Sequence, residues 1–338
     1  AETVFGAEVT AVTLTASFGW DGTTVSTALE GEGTETNPYV LSSGANLAYL
    51  ANSVNGGEAY SGKYFVLSKN INLNFKAWTP IGKATTTPFS GIINGNNNVI
   101  SGINVEGDNY LGMFGVLYGA TIKNLTVDGT VVGNKDTVGI LAGQIQSGTT
   151  IETIIIRGRV TSKSSANTAT GGVGGIAGNT VAKGDGAINI KDCINYAEIN
   201  APFTGSNMAG GIVGATNSQL IVIENCKNYG TINATGTFAG GIVGLFRVCK
   251  VDTKVTGCYN FGDINGNLQI GGIVGGNRYV VENCYVLATA KIKGTEAKDL
   301  TLDSNASPFV AAIAGRMEGA GAKRTGGGLC DAQGNVIE

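Results

Sequence analysis

Histidine is absent from this chain of 338 residues. That excludes His-dependent catalytic triads, HExxH zinc proteases and other imidazole chemistry. Charge is also scarce: charged residues make up 14%, against roughly 25% in an ordinary soluble domain. The net charge of −3 supplies no basic field for nucleic acid. No apolar run is long enough to span a membrane as a helix. No signal peptide is visible, and the chain starts at Ala1 rather than Met, which fits removal of an export signal or anchor.

Glycine is abundant instead, with 54 residues, about twice the usual share of roughly 7%. Its placement is periodic. Gly-Gly-Ile-Val-Gly ends at Gly214, Gly244 and Gly275, and variants end at Gly115, Gly143, Gly178 and Gly315. Successive final glycines are 28, 35, 36, 30, 31 and 40 residues apart. A recurrence near 30 residues signals stacked units rather than one globular core. Ankyrin and TPR repeats have similar periods but need apolar stripes of period 3.6. Here the apolar runs are short, β-branched and bounded by glycine, as in strands. The expected fold is all-β: a right-handed parallel β-helix of about nine coils, counted from 64–73 and 89–105 onward, on the order of 40 Å long.

Three units align without gaps: CINYAEIN from Cys193, CKNYGTIN from Cys226 and CYNFGDIN from Cys258. Asn195, Asn228 and Asn260 recur, followed by Tyr196, Tyr229 and Phe261. Next come a small residue (Ala197, Gly230, Gly262), an isoleucine (Ile199, Ile232, Ile264) and a second asparagine (Asn200, Asn233, Asn265). Stacking of like side chains explains the pattern, because amide and aromatic ladders stabilise piled strands. The small residue is expected at a tight turn with positive φ, and isoleucine in the interior. Cys193, Cys226, Cys258 and Cys284 share one place in successive repeats. Buried free thiols are the leading reading; a disulfide framework and a zinc site are the alternatives, the latter without CxxC or imidazole to support it.

A capping α-helix is expected at about 44–55, started by Ser42 or Ser43 and stopped at Gly56 or Gly57. Leu47, Leu50, Ala51 and Val54 give its apolar face. Residues 1–36 are expected as a lead-in, either cap or tail of another domain, with an edge strand at Val9–Leu14 and a turn at Trp20–Gly22. The repeat domain covers 37–338 and closes in an irregular cap at about 296–338.

The Gly-Ile-Leu-Ala-Gly and Gly-Gly-Ile-Val-Gly segments resemble GLUG repeats. The stretches WDGTTVS (20–26), NPYVLSSGANLAYLANSVN (37–55), YSGKYFVLSKNINLN (60–74) and WTPIG (78–82) are similar to the lead-in that precedes such repeats. The likeness covers about residues 20–290; Ala311–Gly315 departs from it by lacking the leading glycine. The resemblance implies an exported bacterial surface protein, often assigned to adhesion. Such repeats also occur in the non-catalytic part of immunoglobulin A peptidases. No catalytic residue is implied.

A surface adhesin or stalk module, contacting host or matrix glycan or protein, is therefore expected. Phe246, Arg247, Lys250 and Lys254, in a segment of variable length, are its candidate ligand corner. Trp78 and Tyr118 are expected to pack rather than to stack on sugars. A polysaccharide lyase or hydrolase is the alternative, with Glu198 and Asp263 two strands apart in one column. Their expected separation, about 9.6 Å, barely reaches the range for paired carboxylates. Asp192 and Glu224, just ahead of the cysteines, are expected as direct neighbours. A purely structural spacer is the third reading. No cofactor or metal is expected, and the chain is expected to be monomeric.

Overall fold

A computed structural model describes residues 19–135, 137–164, 171–202, 208–217 and 220–337. Among these the architecture is nearly all β, with a single α-helix and three sheets of 22, 6 and 7 strands. From Val138 onward each repeat adds one passage to the large sheet and one strand to each of the smaller sheets. Pairing between successive repeats is parallel and keeps like residues opposite one another. Ile199 faces Ile232, which faces Ile264, which faces Ile292. Val173 pairs with Ala209, and Val213 with Val243. The array begins one passage earlier than expected, because Tyr39–Leu41 already pairs with Phe65–Leu67.

The Gly-Gly-Ile-Val-Gly segment is not one strand, contrary to the sequence expectation. Met208–Gly210 belongs to the six-stranded sheet, and Val213–Asn217 to the seven-stranded one. The motif is the bend between them, and its glycines answer to space rather than to φ. A Cβ on Gly211 would lie 2.2 Å from the Gly241 carbonyl oxygen of the next repeat. It would also lie 2.5 Å from the Asn228 side chain. Gly230 is likewise not a positive-φ turn residue: a Cβ there would meet Ala197 O at 1.9 Å. Positive φ occurs instead just before the cysteine position. Asn124, Thr153, Asp192, Asn225, Gly257, Asn283 and Gly326 all adopt φ between 49° and 61°.

The columns expected from the repeats are present. Asn195 Nδ2 donates to Asn228 Oδ1, and Asn228 Nδ2 to Asn260 Oδ1, each at 2.8 Å. Each of these buried amides also bonds the backbone two residues on, as Asn228 does with Gly230 N and O. Every amide oxygen and nitrogen of the ladder has at least one partner, which is the condition for burying it. Asn200, Asn233 and Asn265 form a second, outer ladder. Tyr196, Tyr229 and Phe261 stack with ring centroids 5.0 and 4.6 Å apart. The six cysteines are free. Cys193, Cys226, Cys258 and Cys284 lie buried over one another, with Cys226 N donating to Cys258 Sγ at 3.3 Å. Burial pushes the Cys193 and Cys258 thiols up, so they behave as small apolar side chains.

The helix spans Gly44–Asn55. Ser43 Oγ accepts from Asn46 N at 3.2 Å, and Gly56 ends it by donating to Asn52 O. Its buried face carries Leu47, Leu50, Ala51 and Val54, which join the main core. Trp20 packs edge-on to Trp78 at 5.7 Å, and Asp21 Oδ1 closes the expected turn on Thr23 N and Thr24 N. The strand expected at Val9–Leu14 lies outside the described residues. At the other end a short 3-10 helix, Ala297–Asp299, precedes a segment that covers the last bend: Leu302 O accepts from both Ile313 N and Ala314 N. Gly328–Cys330 then forms a last strand, with Val336 folded back against Cys330.

Candidate functional site

The four residues expected at a ligand corner are separated by the strand alternation. Phe246 points inward, fully buried, and packs edge-on against Tyr279 at 5.8 Å. Lys254 belongs to the large sheet, in line with Val222 and Val280. Lys250 is exposed on the loop between them. Only Arg247 enters a concave site. The loop that follows it is tethered: Tyr279 Oη donates to Cys249 O at 2.7 Å.

Arg247 lines a cavity of about 260 Å³ with Met208, Phe238, Leu245, Val248, Arg278, Arg316 and Glu318. The register builds it. Leu245 faces Gly276, which faces Arg316, across three consecutive repeats. Two positions later, and so on the same sheet face, stand Arg247, Arg278 and Glu318. From the six-stranded sheet, Met208 faces Phe238. Met208, Ala215 and Leu245 form an apolar cluster separate from the main core, with Phe238 packed on it. Leu245 and Phe238 pack directly over Gly276. A Cβ there would meet Leu245 Cδ1 at 2.5 Å and the Phe238 ring at 2.8 Å.

The rim is cationic. Glu318 accepts from Arg278 Nη2 at 3.0 Å and lies 3.4 Å from Arg316 Nη2. The Arg316 guanidinium sits 5.3 Å from the Phe309 ring centre. Among the lining residues three guanidiniums thus face one carboxylate. Arg247 Nη1 and Arg278 Nε are buried without a hydrogen-bond partner. Buried guanidinium donors without acceptors are costly, and an oxyanion that either side chain turned to meet would relieve that cost. Sequence reading found Arg247 but missed Arg278, Arg316 and Glu318; the recurrence of arginine three positions after the final glycine of the bend motif, at Arg247 and Arg278, was the available signal.

The acids considered for catalysis are engaged elsewhere. Glu198 pairs with Arg159 at 2.9 Å and accepts from Asn233 Nδ2. Asp263 Oδ1 accepts from Lys291 N at 2.7 Å. Asp192 and Glu224 are not direct neighbours: Glu224 precedes its cysteine by two residues and faces Lys191. Trp78 is buried and donates to Met113 O, while Tyr118 lies under the Lys183 ammonium at 5.0 Å.

No family model matches the chain. It is 38% identical over 125 residues to a "Putative Gly-rich membrane protein" of Evansella cellulosilytica. That match covers 33% of this chain and 14% of the relative. It is 32% identical over 130 residues to "Halomucin" of Haloquadratum walsbyi, covering 36% of this chain and 1% of that protein. The matches thus span only small parts of both relatives. Among solved structures, a "putative immunoglobulin A1 protease" from Bacteroides ovatus superposes with a TM-score of 0.60. The superposition covers 90% of this chain and 87% of that one at 22% identity, a likeness of fold. No helix among the described residues is long and apolar enough to cross a membrane.

Proposed function

We propose that this chain is a non-catalytic binding module of an exported bacterial surface protein, wound as a right-handed parallel β-helix of GLUG-like repeats. Three sheets, paired in parallel between repeats and visited in the same order by the repeats from Val138 onward, support the winding. Its hand follows from the near-universal handedness of parallel crossovers. The names of the two sequence relatives, a membrane protein and a halomucin, agree with a place at the cell surface. The observation that carries the binding role is the cavity in which three arginines and one glutamate rim an apolar floor. Two buried guanidinium donors without acceptors stand at that rim.

A binding screen on glycan and matrix-protein arrays tests the reading. Retention of a defined class of ligand is expected. A chain that retains nothing would leave the spacer reading in place. Release of reducing sugar or unsaturated product from polysaccharides would instead establish the enzyme.

A further inference from the structure

We propose that the arginine-rimmed cavity binds a carboxylate carried on an apolar group about the size of one side chain. This rests on the binding-module reading and names the ligand chemistry of its site. Arg247 Nη1 and Arg278 Nε are the buried donors without partners, and they stand one residue past the ends of adjacent strands, at equivalent positions. Planar guanidinium forks match a planar carboxylate. Glu318 holds Arg278 and Arg316 in place and leaves the rim with surplus positive charge. The floor of Met208, Phe238 and Leu245 offers no hydrogen bonds, so the body of the ligand must be apolar. Among the described residues no Asn, Gln, Ser or Thr lines the cavity, which disfavours a hydroxyl-rich neutral sugar. At about 260 Å³ the space lies below the roughly 300–1,000 Å³ of drug-sized sites, and suits a single residue-sized group.

Two sources carry this chemistry: a free small acid, and the C-terminal residue of another chain. Calorimetric titration of the full chain separates them. The probes are 3-phenylpropionate, its amide, a tetrapeptide ending in free phenylalanine, and the same peptide amidated. Each acid should bind at least about tenfold more tightly than its amide, and should weaken as salt is raised. A peptide tenfold tighter than phenylpropionate assigns a chain end; equal affinity assigns the free acid. Arg247→Ala and Arg278→Gln should each cost about tenfold or more with an unchanged melting midpoint. Gly276→Val should block binding by lifting Leu245 and Phe238 into the cavity while every charge remains. Acid and amide binding alike, inorganic sulfate binding as well as phenylpropionate, or no binding at millimolar concentration would each overturn the proposal. An array ligand whose retention ignores Arg247 and Arg278 would overturn it too, yet leave the binding-module reading standing.

Discussion

The strands Thr121–Gly133 and Thr150–Ser162 each run thirteen residues without a break. The corresponding stretch one repeat later is three pieces, Ile188–Lys191, Ile194–Asn195 and Glu198–Ala201. One column accounts for the second break. Val127 and Ile156 occupy it in the continuous strands, while Asn195, Asn228 and Asn260 occupy it in the broken ones. An asparagine there bonds the backbone two residues on, which takes that peptide out of the ladder. The facing bend changes with it. Gly175, Gly211 and Gly241 stand opposite Asn195, Asn228 and Asn260, and a Cβ on any of them would come within 2.6 Å of the amide. In the continuous strands, where the column is apolar, the bend position carries a side chain, as Ile140 does in register with Gly175, though Gly272 remains glycine opposite Val286. The second glycine and the first asparagine of the repeat are thus two halves of one device.

Replacing the middle amide tests that device most severely. Asn228→Val imitates the apolar column but strands Gly230 N and O, and takes one amide partner each from Asn195 and Asn260. A loss of about 3–5 kcal/mol is expected from denaturant unfolding, at about 1–3 kcal/mol for each buried group left unpaired. Val and Ile fill the same column without penalty in the continuous strands. A near-neutral result would therefore mean that the amides follow the strand break rather than cause it.

The glycine half comes next. Gly241→Ala places a methyl 2.4 Å from Asn260 Cγ and 2.1 Å from Gly272 O, neither of which can retreat easily. Overpacking of this kind costs about 2–3 kcal/mol. The double variant with Asn260→Val should fall short of additivity, because the two changes share one contact. Strict additivity would separate the glycine from the ladder.

Much of this was legible before any coordinates. The period, the thiol column, the amide and aromatic ladders and the limits of the helix all follow from side chains that recur at fixed offsets. Stacked parallel strands force like onto like. The bend was misread because Ile-Val between glycines is indistinguishable from a short strand: the excluded space lies in the neighbouring repeat, not in the motif. The positive-φ column carries Asn, Asp or Gly at most positions and was open to reading, though Thr153 obscures it. The cavity was the least legible part. Its members come from four repeats, and only the rim position three residues past the motif's final glycine is cationic in more than one of them.

The outer ladders should contribute less than the inner ones. Tyr229 is 39% exposed and stacks between Tyr196 and Phe261 at interplanar angles of 14° and 6°. Tyr229→Ala should cost about 1–2 kcal/mol, combining partial burial with lost stacking on both faces. A loss as large as that of Asn228→Val would place the aromatic column, not the amides, at the centre of the broken region.

The smallest effect is expected where the large sheet faces water. Lys191 lies between Glu152 and Glu224 in register and bonds Glu152 at 2.9 Å. The Glu152 carboxylate raises the lysine pKa. A cation whose folded pKa is raised contributes its full share below the unfolded value. That share is lost only as pH rises through the folded one, above about 10.4. Lys191→Met should therefore leave the melting midpoint unchanged with pH between about 6 and 9, and exposed ion pairs of this kind contribute little at any pH. A midpoint that fell clearly within that range would show the charge column sharing the work of the buried amides, and would erase the difference drawn between inner and outer ladders.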